Sequence, residues 1–438
     1  MDRKSMITRS AGAARPGEWA CALALALALA ALASWGGCGS NGKTSSPTLT
    51  STPTDGGSTS VFKPPVDPGP GGILFAASGE VLALTGYPFP PANDGDPAFV
   101  DGWQVDFTRL LVTIDKITLS GNPDFVPGDQ AMTGPLVAEA DGPWAVDLAH
   151  GDPGYLPGKG GPGEQAVPLV ALANQNRNGN RAFATDGTRY AFGFDVMVAS
   201  AAAQNVNLDA AGLSDYQQMV ADGCTVLYVG TATFRGGTVA GHTDCNAGAY
   251  ASWPTAVGFR LCFRSPTTYA NCQNPDNQPA QPLPGEEYER GIAFLPGQSV
   301  IGQVTIHTDH PFWDSVLHDS PAHFDQFAAR VVGAGGGADG GVPTVTLEMT
   351  RGVDYTAYTD ALGVALDWRY CIDPPTDVHP QFTGAMAFDP QSVPHAAGTD
   401  AASGLRDYDD FATYDQSTQG HLNSDGLCAV QRHYPSPP

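Results

Sequence analysis

The chain has 438 residues and a formal net charge of −24, with 21 Lys and Arg set against 45 Asp and Glu. A surface this acidic repels phosphate backbones, which excludes nucleic acid as a natural partner, and it attracts cations only diffusely. The chain is long enough to bury a sizeable core unaided, so any disulfide or metal adds to that core and does not stand in for it.

Reading from the N-terminus, Arg3, Lys4, Arg9 and Arg15 precede an apolar run of alternating Ala and Leu from Ala20 to Ala33. Small residues then lead into Gly36-Gly37-Cys38. Residues 1–37 read as a signal peptide whose apolar run is too short to span a bilayer comfortably. Gly36, Gly37 and Cys38 resemble the bacterial lipobox. In that family the cysteine receives a lipid and becomes the first mature residue. The resemblance implies a lipid anchor on Cys38 and a cell-envelope location. Gly39 after the cysteine, in place of the Asp of inner-membrane lipoproteins, points to the outer membrane. Ordinary secretion with cleavage nearby is the alternative. Residues 38–72 are dominated by Gly, Ser, Thr and Pro and cannot bury enough surface to fold. As a flexible tether they reach on the order of 30 Å, which holds a body clear of the membrane surface.

Beyond the tether, period-2 alternation dominates. Runs at Ile73–Phe75 and Val81–Leu84 come first. Trp103, Val105 and Phe107 share one phase and Leu110, Val112 and Ile114 the other, which predicts a bulge near Thr108–Arg109. Trp144-Val146-Leu148, then Tyr190 through Val198, then Thr225–Val229 and Val257 through Phe263 continue the series, followed by Val300–Ile306 and Val345-Leu347-Met349. Asn174-x-Asn176-x-Asn178-Gly179 has the opening rhythm of a calcium loop but carries Thr185 at its twelfth position, and it reads as a polar turn. Helices are few: one is predicted from Ser320, with Pro321 in its first turn, and a weaker one over Leu405–Tyr414. Gly333–Gly341 reads as a linker or exposed loop. The pattern predicts an all-β fold, an antiparallel β-sandwich with long insertions and one or two short helices, its body over 73–350 and a C-terminal region over 351–438.

Cys21 leaves with the signal peptide and Cys38 is taken by lipid. The remaining six are Cys224, Cys245, Cys262, Cys272, Cys371 and Cys428. An even count in an exported chain reads as disulfides, with nearest-neighbour pairing expected: Cys224–Cys245, Cys262–Cys272 and Cys371–Cys428. No CxxC is present, so neither a redox pair nor a cysteine zinc knuckle is indicated.

Chemistry is most concentrated between His307 and Asp325, where His307, His310, His318 and His323 alternate with Asp309, Asp314, Asp319 and Asp325. A strand end, a Pro-fixed turn and a helix start can converge on one point, and neutral imidazoles suit Zn²⁺ or Cu²⁺. The expected ligands are His307, His310, His318 and His323. His421, between two glycines and near Cys428, is a further candidate. The bland alternative is that these side chains cap the helix and hydrogen-bond locally. No G-x-S-x-G elbow appears, and Asp407, Asp409 and Asp410 read as solvated.

The segment Trp103-Gln-Val-Asp-Phe-Thr-Arg-Leu-Leu-Val-Thr-Ile-Asp-Lys-Ile-Thr-Leu119, with the strand leading to His307-Thr-Asp-His310-Pro-Phe-Trp313, resembles the β-sandwich lipoproteins related to the methanobactin-associated periplasmic copper proteins. The resemblance covers roughly residues 73–350. It implies a copper-associated envelope sandwich with His307 and His310 among the ligands. The functional expectation is a lipid-anchored protein that binds copper or zinc without catalysis of its own. A metal-dependent hydrolase or oxidase, and a metal-free adhesion or carbohydrate-binding module, are the alternatives.

Overall fold

The computed structural model describes residues 65–93, 95–236, 245, 253–315, 320–334, 341–354, 357–373, 383–387 and 407–433. The expected signal peptide, Cys38 and most of the tether lie outside the described residues, as do His318 and most of Gly333–Gly341.

In chain order the elements are β1 (Ile73–Ser78), α1 (Glu80–Thr85), β2 (Trp103–Gly121), β3 (Leu136–Ala140), β4 (Trp144–Asp147), β5 (Leu156–Pro157), β6 (Gln165–Leu172) and β7 (Arg189–Val196). Then come β8 (Gln204–Asn205), α2 (Ala210–Asp222), β9 (Val226–Phe234), β10 (Ala256–Phe263), β11 (Thr267–Ala270), β12 (Ile292–Ala293) and β13 (Val300–Ile306). The chain ends with α3 (Asp325–Ala328), β14 (Thr344–Thr346), α4 (Tyr408–Gln416), β15 (Gly420–Leu422), β16 (Gly426–Leu427) and β17 (Ala429–Arg432). The fold is all-β, as the alternation predicts. One sheet has six strands in the order β16-β15-β13-β1-β6-β5, and the other has eleven, built along β14-β10-β9-β2-β7-β11-β17.

The inward faces of both sheets meet in one core. Ile73, Phe75, Val304, Ile306 and Leu422 from the smaller sheet join Phe192, Phe194, Tyr228 and Phe259 from the larger. Phe75 and Phe192 touch across the gap, ring centroids 6.0 Å apart. Trp103 and Trp144 are buried in that core, where their phase places them. The bulge expected near Thr108–Arg109 is present: the β2–β9 register shifts between Phe107 and Arg109, inside one strand of 19 residues. It carries β2 from one alternation phase to the other without breaking pairing.

The sheets are not purely antiparallel. β1 pairs with β13, β10 with β14 and β4 with β8 in parallel. These partners are distant in sequence, and long crossovers permit either direction. The C-terminal region is woven in as well as tied by disulfides: β15 pairs with β13 and β17 with β11. Among the described residues no helix is long and apolar enough to cross a membrane.

Val81–Leu84, expected as a strand, lies in helix α1, and the strand expected through Met349 ends at Thr346, with Leu347–Thr350 in a short helical turn. Helix boundaries also differ from the sequence expectation. Ser320 does not cap α3. Its Oγ accepts the backbone N–H groups of Asp314 and Ser315, while the buried carboxylate of Asp101 accepts those of Phe324 and Asp325, at 2.6 and 2.7 Å. A cap donated from a remote segment starts the helix four residues later than a local one. α4 matches the weaker prediction and is capped by Asp407. The 13-residue α2 was not expected, although Asp209 caps it by accepting from Gly212 N and Gly223 ends it in the left-handed conformation, φ 73°.

The disulfides are Cys224–Cys262, Cys245–Cys371 and Cys272–Cys428, so none of the nearest-neighbour pairs forms. Sheet order decides this. Thr225 N bonds Phe263 O at the β9–β10 junction, which sets Cys224 beside Cys262. Ala270 faces Ala429 in the β11–β17 ladder, and Gln273 N bonds Leu427 O just beyond, which sets Cys272 beside Cys428. The third pair presses so closely on Gly102 and Gly236 that a Cβ at either would lie 2.5–2.6 Å from Cys371 Sγ.

Candidate metal centre

The candidate centre stands at one end of the six-stranded sheet. β1 and β13 run parallel, with Ser78 opposite Thr305. Two residues on, Glu80 and His307 therefore leave the sheet side by side. β15 returns antiparallel on the other flank of β13, with His421 opposite Thr305, and the ladder runs on through His307 N to Gln419 O. Val304, Ile306 and Leu422 face the core, so Thr305, His307 and His421 project from the opposite face. The short helical turn His310–Phe312, with Pro311 fixing its entry, drives Phe312 into the core and brings His310 back over His307.

Three imidazoles converge there. One nitrogen from each of His307, His310 and His421 lies within 4.8 Å of the other two. His310 and His421 are buried, and the His307 side chain is 15% exposed. The His307 and His421 rings stack, centroids 4.1 Å apart and 14° from parallel, while His310 stands nearly perpendicular to both. Trp313 closes the back, stacked on His310 at 4.4 Å. A tetrahedral ion with Zn–N bonds of about 2.1 Å needs its nitrogens roughly 3.4 Å apart, with lone pairs pointing at a common centre. Parallel rings direct their lone pairs side by side, so an ion held by all three would need one of the stacked pair to turn.

Carboxylates border the trio. Glu80, His307 and Asp425 form a second convergent group, with Glu80 Oε1 3.5 Å from His307 Nε2. Burial pushes the Glu80 carboxyl up to about 7, against the pull of His307 and with the push of Asp309. Burial alone would lower His307, but Glu80, Asp309, the Ser424 carbonyl and Asp425 together outweigh it and raise the ring above its ordinary value. Glu80 is held in the left-handed region, φ 62°, a sparsely populated conformation for a side chain of this size. Asp425 sits on the β15–β16 turn, whose Asn423 and Ser424 are also left-handed, at 51° and 79°.

Of the four expected ligands, the fold brings together His307 and His310. His318 lies outside the described residues. His323 is directed elsewhere: its Nδ1 lies 2.9 Å from Asp314 Oδ2 in a fully buried ion pair, beside Trp368 and Tyr370. Burial disfavours its charge, but Asp314, Asp101 and Asp325 outweigh burial and hold it up to about 9. The fold thus pairs His323 with Asp314 and does not bring it into the trio. His421 takes the place in the trio, and Glu80 joins the rim. Glu80 carries no local signal, because only the parallel β1–β13 register brings it to His307. The Asn174–Gly179 stretch is the polar turn expected: Asn174 Oδ1 and Asn176 Oδ1 accept the backbone N–H groups of Phe183 and Ala182.

Three nitrogen donors without a thiolate favour borderline ions such as Zn²⁺ and Cu²⁺ over Mg²⁺ or Ca²⁺. Comparison of this chain with family models, with curated proteins and with solved structures finds no match, so its chemistry is read from its own geometry.

Proposed function

We propose that this chain is an exported envelope protein, anchored by a lipid on Cys38, that binds copper or zinc through His307, His310 and His421 without catalysis of its own. The observation that carries the metal reading is the convergence of three imidazoles from a strand end, a Pro-fixed turn and a returning strand. Three imidazole nitrogens gathered from three separate segments are the donor set that a borderline metal ion takes. The motif at Gly36-Gly37-Cys38 and the tether after it support the anchor.

Elemental analysis of the purified chain, after equilibration with Zn²⁺ or Cu²⁺ and removal of excess, tests the metal. About one ion per chain is expected, with loss in a His310→Ala/His421→Ala double variant. Metal content no higher in the wild type than in the double variant ends the proposal. Incorporation of labelled palmitate that disappears in Cys38→Ala tests the anchor.

A further inference from the structure

Resting on the metal reading above, we infer that the scaffold presets which nitrogen two of the rings offer: His310 binds through Nε2 and His307 through Nδ1, with Thr418 and the Ser424 carbonyl as the positioning groups. The argument is one of donors and acceptors. Thr418 Oγ1 lies 2.7 Å from the main-chain oxygen of Asp415, an acceptor only, so its single proton is committed there. The same oxygen lies 2.6 Å from His310 Nδ1 and must accept from it. His310 Nδ1 therefore carries the proton, and the neutral ring has its lone pair on Nε2.

His307 is fixed in the opposite sense. Its Nε2 faces the Ser424 carbonyl at 3.1 Å and Glu80 Oε1 at 3.5 Å. The carbonyl can only accept, so Nε2 is the protonated nitrogen and Nδ1 bears the lone pair. Glu80, His307 and the ion thus line up as a carboxylate–histidine–metal series, in which the outer carboxylate orients the ring and raises its basicity. The Thr305 hydroxyl accepts Ser424 N at 2.9 Å and so holds the turn that presents this carbonyl. Thr418 follows α4, and Ser424 lies between β15 and β16. Two separate segments are needed to set two tautomers.

Long-range ¹H–¹⁵N spectra of the metal-free full chain at about pH 9, with the rings assigned from His307→Gln and His310→Gln variants, read the tautomers directly. The Nδ1–H form is expected for His310 and the Nε2–H form for His307; the reverse in either ring overturns that assignment. Zinc titrations of Thr418→Val and Thr418→Ser test the consequence. Affinity should fall about 10- to 100-fold in the first and return in the second. Wild-type affinity in Thr418→Val, with the wild type itself binding, refutes the positioning role alone. No zinc bound by the wild type defeats the metal reading and the ligand assignment with it, while the spectra still report the proton positions.

Discussion

Two clusters arise from the same 19-residue stretch of histidines and aspartates, and the fold treats them in opposite ways. Around His323, unlike charges meet. Asp314 answers His323, and Arg369 Nε donates to Asp325 Oδ2 at 2.8 Å while stacking over Phe234. Trp103 Nε1 completes the shell on Asp325 at 2.7 Å. Around His307, like groups meet: three imidazoles face one another and the carboxylates stand on the rim. In a buried set of opposite charges, each charge offsets the cost of burying the other. A set of like donors has no such mutual neutralisation. The contrast teaches that residue type and density do not settle how a cluster is used; the partners that the fold supplies decide it.

The largest expected effect comes from breaking the self-satisfied cluster. Arg369→Met leaves Asp325 buried without its guanidinium and should cost about 3–5 kcal/mol in denaturant unfolding. A loss below about 1 kcal/mol would show that the pairing around His323 is not structural, and the contrast would fail there.

The pH dependence of stability comes next. His323 is held up to about 9, above its ordinary 6.5, so its contribution is whole below about pH 6.5 and is lost as pH rises through about 9. Asp101 is pushed up to about 7 by burial and by Asp325, so between about pH 4 and 7 the folded chain keeps a proton that the unfolded chain has released. Both slopes have the same sign: the melting temperature of the metal-free protein should fall from about pH 5 to about pH 9. A rise across that window contradicts the assigned charges.

Metal should act only on the other cluster. At a hundredfold excess over Kd, zinc should stabilise the wild type by about 2.7 kcal/mol and leave His421→Ala unmoved, read by thermal shift. The smallest effect is expected for His307→Ala in metal-free protein. The partly exposed ring should cost about 1 kcal/mol or less, while zinc binding falls far more. A large loss of stability without a loss of binding would place His307 among the structural residues.

Much of the frame was legible beforehand. The alternating runs at Trp103–Phe107 and Leu110–Ile114, the bulge between them and the weaker helix over Leu405–Tyr414 follow from local periodicity. The unusual density of histidine after β13 was legible too, with His307 at a strand end and His310 in a Pro-fixed turn. Neither the exclusion of His323 nor the recruitment of His421 and Glu80 could be read, because each depends on what lies across the sheet. The unforeseen helix α2 is a different case. Its cap at Asp209 and stop at Gly223 were present in the chain, but its inward face is short, with only Gly212, Tyr216 and Met219 buried.

The amino-acid order by itself determined the main strands of the larger sheet, where β2 changes phase and which residue types crowd together after β13, since these depend on neighbours within a few positions; it did not settle Val81–Leu84, which is helical, or β6, whose pairing with β1 makes it a strand. Tertiary structure alone decided the cysteine partners, the company of His323 and the trio at the sheet end. Those depend on sheet order and register. Whether β1 lies parallel to β13, and β15 antiparallel on its other side, is settled by burying the faces of both sheets at once, and no short window of sequence contains that sum.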